Sequence, residues 1–157
     1  LLSLKKMPVW ILTTISITIL SGALTAGSFA GYLFNDWPLM EGHFLPPSYL
    51  EKNIWQRFDI FKFLFIDLGT IQFHHRMMAY TTLLLAIIIR WKAQRQDFQI
   101  RKASALFLCA VLLQIIIGVV TLKKAVPLYL ALLHQFGAAF MVICFVFYII
   151  TLRQHKS

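Results

Sequence analysis

Two histidines in apolar parts of the chain are the residues best suited to bind a metal. His75 belongs to the polar stretch QFHHR at positions 72–76, which heads an apolar run, and His134 lies within the last apolar run. Ionisable groups in apolar surroundings are costly to bury, so they usually have a function. A neutral imidazole nitrogen is a common metal ligand. His75 and His134 are therefore the candidate metal ligands.

The length of the surrounding apolar run sets the depth of the first histidine. Residues 77–89 form a helix of only about 20 Å at 1.5 Å per residue, whereas the hydrocarbon of a bilayer is about 30 Å thick. A helix that spans the membrane must therefore begin near Leu68, which draws His75 and Arg76 below the membrane surface.

The two candidate ligands are predicted to lie at the same depth. His75 follows Leu68 by seven residues and His134 follows Pro127 by seven, so each lies about 10 Å below the membrane surface from which its helix descends. Two facing imidazoles at one level are the arrangement that a planar cofactor with two axial ligands, such as haem, requires. Small residues that leave room for a macrocycle flank both positions: Ala79, Ala131, Gly137 and Ala138.

Other polar side chains near the pair have more than one interpretation. Arg76, beside His75, is placed to meet an anionic group such as a propionate. His74 points about 100 degrees away from His75 around the helix, which favours a packing or interfacial role. Any single intramembrane histidine can instead join helices by a hydrogen bond, and Gln72 and Gln135 can bond across helices or to the ligand face. The remaining histidines, expected to be solvated, are His43 and His155.

The composition predicts an integral membrane protein. Of the 157 residues, 59% are hydrophobic and only 13% are charged, and the mean hydropathy is +0.74. A net charge of +9 would suggest a nucleic-acid partner for a soluble protein. Here the basic residues cluster in short segments beside apolar runs, as topology signals do. A lipid membrane, and no nucleic acid, is the expected partner.

Four apolar runs predict an all-α fold, a single four-transmembrane-helix bundle over residues 1–157. The spans are expected at about 8–32, 68–89, 103–122 and 127–152, with an outer loop at 33–67. Small residues at 23, 27 and 31 of the first span predict close packing against another helix. Aromatic residues over 54–62 favour an interfacial helix within the loop, and a solvated loop is the alternative.

The distribution of basic residues predicts the orientation of the bundle. The N-terminus holds two Lys or Arg, the connector at 90–102 holds five and the C-terminus holds two. The long loop holds three and the turn at 123–124 holds two. The positive-inside rule therefore places both termini on the cytoplasmic or matrix side.

No catalytic motif accompanies the candidate ligands. The sequence lacks a glycine-rich phosphate loop, a thiol pair, a nucleophile triad and a carboxylate dyad. Cys109 and Cys144 lie in apolar runs, where inert buried thiols are expected. Asp67 lies about two turns above His75 and is expected to be solvated at the interface. The sequence thus predicts metal ligands and no catalytic residue.

Five ordered blocks along the chain carry a family resemblance. They are the small-residue stretch SGA at 21–23 with 26–27 and 30–31, the loop NDWPLMEG at 35–42, the stretch QFHHR at 72–76 with Ala79-Tyr80, the set Gln114, Gly118 and Thr121-Leu122, and the set 126–127, 130–131, His134-Gln135 and Ala138. Together they span nearly the whole chain in order. The chain therefore resembles the second half of the haem A synthase family.

The resemblance implies a cofactor and a reaction. The family is built from two similar four-helix bundles and oxidises a methyl group of haem O to the formyl group of haem A. The half that this chain resembles is expected to hold a haem b between two axial histidines, whereas the substrate haem O and the catalytic carboxylate belong to the other half. The motif Gln-Phe-x-His-Arg carries over to His75, with His74 in its variable position, and the His-Gln motif carries over to His134.

The resemblance also implies partners and leaves the function open. The first bundle, with its glutamate and its own histidine pair, has no counterpart here, so we expect either a fragment of a complete enzyme or a stand-alone bundle. The implied partners are the missing N-terminal bundle and haem O synthase or oxidase assembly factors, in a bacterial cell membrane or mitochondrial inner membrane. The alternatives are a stand-alone b-type cytochrome that transfers electrons, and a structural or assembly subunit whose histidines only join helices.

Overall fold

Four long helices dominate the computed structural model, which describes residues 7–49 and 65–155. They are α1, Met7–Gly27; α2, Leu68–Ala93; α3, Phe98–Lys123; and α4, Leu128–Gln154. Two short 3-10 turns, Ala30–Tyr32 and Pro47–Tyr49, lie between α1 and α2. The described residues form no strand, which confirms the all-α class. The expected interfacial helix at 54–62 lies outside the described residues.

The helix ends differ from the predicted spans at bent and charged positions. α1 ends at Gly27 because Phe29 adopts the left-handed conformation, with φ 59°, and a 3-10 turn follows. α2 continues past Ile89 to Ala93, and α3 begins at Phe98 instead of near 103. Both extensions contain basic residues. Their low hydropathy is the reason that the sequence places these positions outside the predicted spans. A helix accepts such residues when their long side chains reach the aqueous phase.

Three of the four helices have the length and composition of membrane spans. Within the described residues these are α1, α3 and α4. α2 has 26 residues, but the polar side chains of its first turns lower its hydropathy and it falls outside this group. Large apolar side chains face outward along the helices, as lipid contact requires, and include Leu128, Phe136 and Ile143. The protein is an integral membrane protein.

Helices adjacent in sequence pack side by side. α1 contacts α2, α2 contacts α3 and α3 contacts α4, whereas α1 and α4 barely touch. α2 and α4 therefore lie diagonally across the bundle. The apolar core fills the half of the bundle that contains the N-terminus of α1 and the C-terminus of α4. Its members include Met7, Ile11, Ile15, Ala86, Ile89, Phe107, Phe145 and Tyr148. The other half of the bundle contains the buried polar side chains of Gln72, Arg76 and Gln114, beside apolar ones such as Phe34 and Ile71.

The loop after α1 is fastened to the helix ends. The Asn35 side-chain amide donates to the backbone carbonyl oxygens of Gly31, at 3.2 Å, and Leu122, at 3.1 Å. At the start of α2, Asp67 accepts a hydrogen bond from the Thr70 amide at 2.6 Å and another from the Ser48 hydroxyl at 3.1 Å. Asp67 is therefore a helix cap, and the expectation that it is merely solvated is wrong.

The predicted small-residue ridge of α1 does not meet another helix. Ala23 and Gly27 are exposed, and a Cβ added at Gly27 would have no neighbour within 4 Å. α1 instead meets α2 along a different face, where the hydroxyl oxygens of Thr18 and Thr82 lie 3.0 Å apart. Spacing by four identified the small residues, but helix rotation decided which face packs.

Candidate functional site

The structure brings together the imidazoles of His75 and His134. His75 lies on α2 and His134 on α4, and their ring centres are 6.4 Å apart with planes at 90°. The two helices lie diagonally across the bundle, so the rings meet near its axis. The structure thus agrees with the equal depth inferred from residue counts, and the two rings approach each other directly with perpendicular planes.

The separation of the rings fits a metal between them. A metal–nitrogen bond of about 2.0 Å and an imidazole ring radius of about 1.1 Å place a ring centre about 3.1 Å from the metal. Two rings on opposite sides of one metal would therefore have centres about 6.3 Å apart. The observed separation is 6.4 Å, so the distance between the rings is compatible with one metal bound by both.

A serine on α1 fixes the orientation of His75. The Ser21 hydroxyl donates to the backbone carbonyl of Thr18 at 2.9 Å, and its oxygen lies 3.1 Å from Nδ1 of His75. Because the hydroxyl hydrogen is already donated, the oxygen is free to accept Nδ1–H. That tautomer leaves Nε2 unprotonated, which is the form that binds a metal.

A glycine on the same helix provides the space for the His75 ring. A Cβ added at Gly22 would lie 2.8 Å from Cε1 of His75, which is far inside van der Waals contact. The imidazole therefore packs directly against the backbone of α1. Any larger residue at Gly22 would push the ring out of its place.

His134 is held in the same way by α3. The Gln114 amide nitrogen lies 3.1 Å from Nδ1 of His134 and donates to the backbone carbonyl of His134 at 2.8 Å. A Cβ added at Gly118 would lie 2.8 Å from Cε1 of His134. Each histidine thus has one polar partner at Nδ1 and one glycine beneath the ring, both on the preceding helix. Sequence reasoning assigned no role to these four residues, although the family blocks contain all of them.

Arg76 is turned toward the loop that follows α1. Its two terminal nitrogens donate to the backbone carbonyls of Phe34, Asp36 and Leu39 at 3.0–3.2 Å. Gln72 donates to the same Phe34 carbonyl at 3.0 Å. Arg76 is buried, and within the described residues its Nε has no hydrogen-bond partner. The guanidinium therefore holds the loop at this end of the bundle and keeps one buried donor unused.

The remaining predicted polar residues lie away from the imidazole pair. His74 faces the loop, where its Nε2 lies 3.2 Å from the Tyr49 hydroxyl. Burial raises the pKa of the Tyr49 phenol above its usual value, so it stays protonated at neutral pH and can donate to that nitrogen. Gln135 is exposed on the outside of α4. His43 and His155 are exposed, as expected.

No cluster of three or more potential metal ligands occurs in the part of the chain that the structure describes. Groups of three or more histidine, cysteine, aspartate or glutamate side chains are absent from it. Cys144 is buried and Cys109 is exposed on the outside of α3, and both are free thiols. The imidazole pair is therefore the candidate site, and it offers two nitrogen ligands without a neighbouring carboxylate.

Comparison with known proteins gives a family for this arrangement. The profile of the COX15-CtaA family, described as cytochrome oxidase assembly protein, matches residues 2–146. Haem A synthases of Dinoroseobacter shibae and Bartonella henselae are each 37% identical to the chain over 87% of its length. That of Caulobacter vibrioides is 40% identical over 76%.

The matches cover the chain much better than they cover the relatives. The aligned part is 34% of the Dinoroseobacter shibae protein and 37% of the Bartonella henselae protein. The chain thus spans about a third of the length of the curated relatives that it matches. No solved structure matches the chain significantly.

Proposed function

Because the chain belongs to the COX15-CtaA family of cytochrome oxidase assembly proteins, we propose that it acts in haem A synthesis as the bundle that holds a b-type haem. His75 and His134 would hold this haem by binding its iron. The observation that carries this proposal is the pair of imidazoles 6.4 Å apart at the bundle axis, with glycine beneath each ring.

The surrounding residues have defined roles in this proposal. Ser21 accepts Nδ1–H of His75, so that Nε2 is the ligand atom. For His134 the polar partner is Gln114, whose amide nitrogen lies 3.1 Å from Nδ1 and holds the residue through its bond to the His134 backbone carbonyl. Arg76 contributes its unused Nε–H toward a propionate.

The haem, when bound, supplies one-electron transfer at its iron. The chain supplies the geometry for that chemistry. α1 and α3 hold the two rings in place through hydrogen bonds and through close packing against glycine. Ligands that are already fixed need less reorganisation when the charge of the bound group changes.

The oxidation of haem O to haem A requires more than this chain. We propose that haem O and the catalytic carboxylate belong to the two thirds of the relatives that the match does not cover. The bundle would relay electrons away from that part, in the bacterial cell membrane or mitochondrial inner membrane. Haem O synthase or oxidase assembly factors are its further partners. In this arrangement α2 is a fourth span and both termini face the cytoplasm or matrix.

Absorption spectroscopy of the purified full chain with added haem tests the proposed ligation. We expect the reduced spectrum of a low-spin, six-coordinate iron, and we expect His75→Ala and His134→Ala each to abolish it. His74→Ala is the matched control, because this neighbouring ring faces Tyr49 and should leave the spectrum unchanged. Unchanged haem content in both ligand variants would end the proposal in favour of histidines that only join helices.

Co-expression with the part of a relative that lies outside the match tests the role in haem A synthesis. We expect conversion of haem O to haem A with the wild-type chain and none with His75→Ala. Haem binding without conversion in any such pairing would leave a stand-alone b-type cytochrome that transfers electrons.

A further inference from the structure

A second polar feature lies at the opposite end of the bundle from the histidines. A cleft of about 600 Å³ separates the C-terminal end of α2 from the N-terminal end of α3. It is lined by Arg90, Gln94, Phe98, Arg101, Lys102 and Ala105, and none of these six is acidic. On α2, Arg90 and His75 are about 22 Å apart along the axis. The cleft is therefore separate from the proposed haem site.

Within the described residues, no acidic side chain lines the cleft to balance its three bases. One terminal nitrogen of Arg90 is buried and has no hydrogen-bond partner in residues 7–49 and 65–155. Arg101 and Lys102 are exposed at the rim, and the Arg101 guanidinium lies 5.8 Å from the Phe98 ring centre. A buried guanidinium donor without an acceptor is costly. Arg90 lines the cleft, so a turn of its side chain would bring this nitrogen to an oxyanion bound there and remove the cost.

The surface next to the cleft is apolar and faces outward. Ile87 lies one turn before Arg90 on α2 and is 47% exposed, and Leu106 lies one turn after Lys102 on α3 and is 43% exposed. Both are on the side of the cleft toward the middle of the helices. A ligand with an anionic head and apolar chains would therefore match the whole surface, whereas a free anion would match only its basic part.

We propose that this cleft binds the phosphate group of an anionic phospholipid. Arg90 is the buried donor to the phosphate, Arg101 and Lys102 supply further charge at the rim, and the acyl chains follow Ile87 and Leu106. Three bases without an acid favour a headgroup with net negative charge over a zwitterionic one. A basic cleft between helices at the cytoplasmic end of a bundle has the chemistry that such headgroups require.

Native mass spectrometry of the full chain in detergent tests this proposal. Phosphatidylglycerol and phosphatidylcholine are added at equal concentration, and the retained lipid is counted. We expect preferential retention of phosphatidylglycerol, with retention about fivefold weaker for each base removed. The test variant is Arg90→Gln. The control is Arg153→Gln, which removes an exposed base at the same end of the bundle that does not line the cleft.

A second variant keeps the test valid if Arg90→Gln misfolds. Arg101 and Lys102 are exposed, so their double replacement by Gln leaves the packing intact and should weaken retention about 25-fold. Equal retention by the double variant and by Arg153→Gln would refute the site.

A measurement with inorganic phosphate distinguishes a phospholipid from a free anion as the ligand of the cleft. Thermal unfolding is measured with phosphate alone and with phosphatidylglycerol. Stabilisation by phosphatidylglycerol and none by phosphate supports the proposal. Equal stabilisation by phosphate would assign the cleft to a free anion and overturn the lipid. Haem is absent from all of these measurements, so their outcome is independent of the proposed ligation.

Discussion

At the scale of single residues, both imidazoles are oriented by the same device on the preceding helix. A polar side chain lies 3.1 Å from Nδ1 of each ring, and a glycine lets the ring rest against the backbone. Ligands that are fixed before a metal arrives lose less freedom when they bind it. The glycines and the polar partners should therefore contribute measurably to affinity, although less than the histidines themselves.

We predict that Gly22→Ala and Gly118→Ala each weaken haem binding by roughly tenfold. The added Cβ would lie 2.8 Å from Cε1 of the facing imidazole, so the ring must rotate or the helices must separate. The measurement is a titration of the purified apoprotein with haem, followed by absorption.

Gly27→Ala is the matched control for these variants. It adds the same methyl group to α1 at a position with nothing within 4 Å, so it should bind haem like the wild type. Equal affinity of Gly22→Ala and Gly27→Ala would show that close packing under the ring has no role.

We predict that Ser21→Ala raises the reduction potential of the bound haem. Acceptance of Nδ1–H by the Ser21 oxygen makes His75 a more basic ligand, which favours the oxidised iron. Loss of that acceptor favours the reduced iron. Redox titration of the full chain measures the shift. Ser28→Ala, which removes a hydroxyl bonded only to the Leu24 carbonyl, should leave the potential unchanged, and a potential equal in both variants would contradict the role of Ser21.

At the scale of structural elements, the loop after α1 and the start of α2 form one hydrogen-bonded unit. Arg76 and Gln72 donate to loop carbonyls, and the Asp67 carboxylate caps α2 while it accepts from Ser48. The described part of the loop is thereby fastened to the end of the bundle that holds the imidazoles. This fastening depends on few side chains, so single substitutions test it.

We predict that Arg76→Gln loosens the loop and lowers the stability of the fold. The substitution removes charged donors that bond the carbonyls of Phe34, Asp36 and Leu39, at a cost of about 2–4 kcal/mol. Amide hydrogen exchange of residues 34–42 should become faster. Arg95→Gln, at an exposed position of the α2–α3 connector, is the control, and identical exchange in the two variants would refute the proposed fastening.

We predict that Asp67→Ala destabilises the first turn of α2 by about 1 kcal/mol. The carboxylate accepts from the Thr70 amide at 2.6 Å, and alanine cannot replace it. Asp97→Ala is an internal comparison, because Asp97 precedes α3 without a side-chain cap bond. The temperature of thermal unfolding should therefore fall more in Asp67→Ala than in Asp97→Ala. Equal loss in both would exclude a capping contribution from Asp67.

At the scale of the whole molecule, the bundle divides along its length into two parts. The apolar core fills one half, and the imidazoles with their polar partners occupy the other. The two parts meet different requirements, because apolar packing stabilises the bundle while buried polar groups are placed only where they are bonded. The number of membrane spans decides which face of the membrane each part lies near.

We predict that α2 crosses the membrane, although its polar first turns separate it from the three more apolar helices. Reporter fusions test this. A fusion after His155 should be active on the cytoplasmic side, and a fusion at Lys124 should be active on the opposite side. The reason is that the two termini and the connector at 90–102 together hold nine Lys and Arg residues, whereas the long loop and the turn at 123–124 hold five. With an odd number of spans the two termini would lie on opposite faces, so a second reporter before α1 gives the decisive control.

The sequence by itself determined the helical class and the histidine pair. The lengths of apolar runs predict helices, and the constant rise per residue predicts that His75 and His134 share a depth. These inferences need only distances along a helix, which residue counts provide. The family blocks also contained the residues that turned out to surround the rings.

Only the tertiary structure decided how each side chain is used. The rotation of α1 places Ser21 and Gly22, instead of Ala23 and Gly27, against α2. The fold of the loop turns Arg76 toward backbone carbonyls. Contacts between helices depend on rotation and relative height, which arise from the packing of all four helices at once. Residue counts within a segment predict depth, but they do not specify how that segment is rotated against its neighbours.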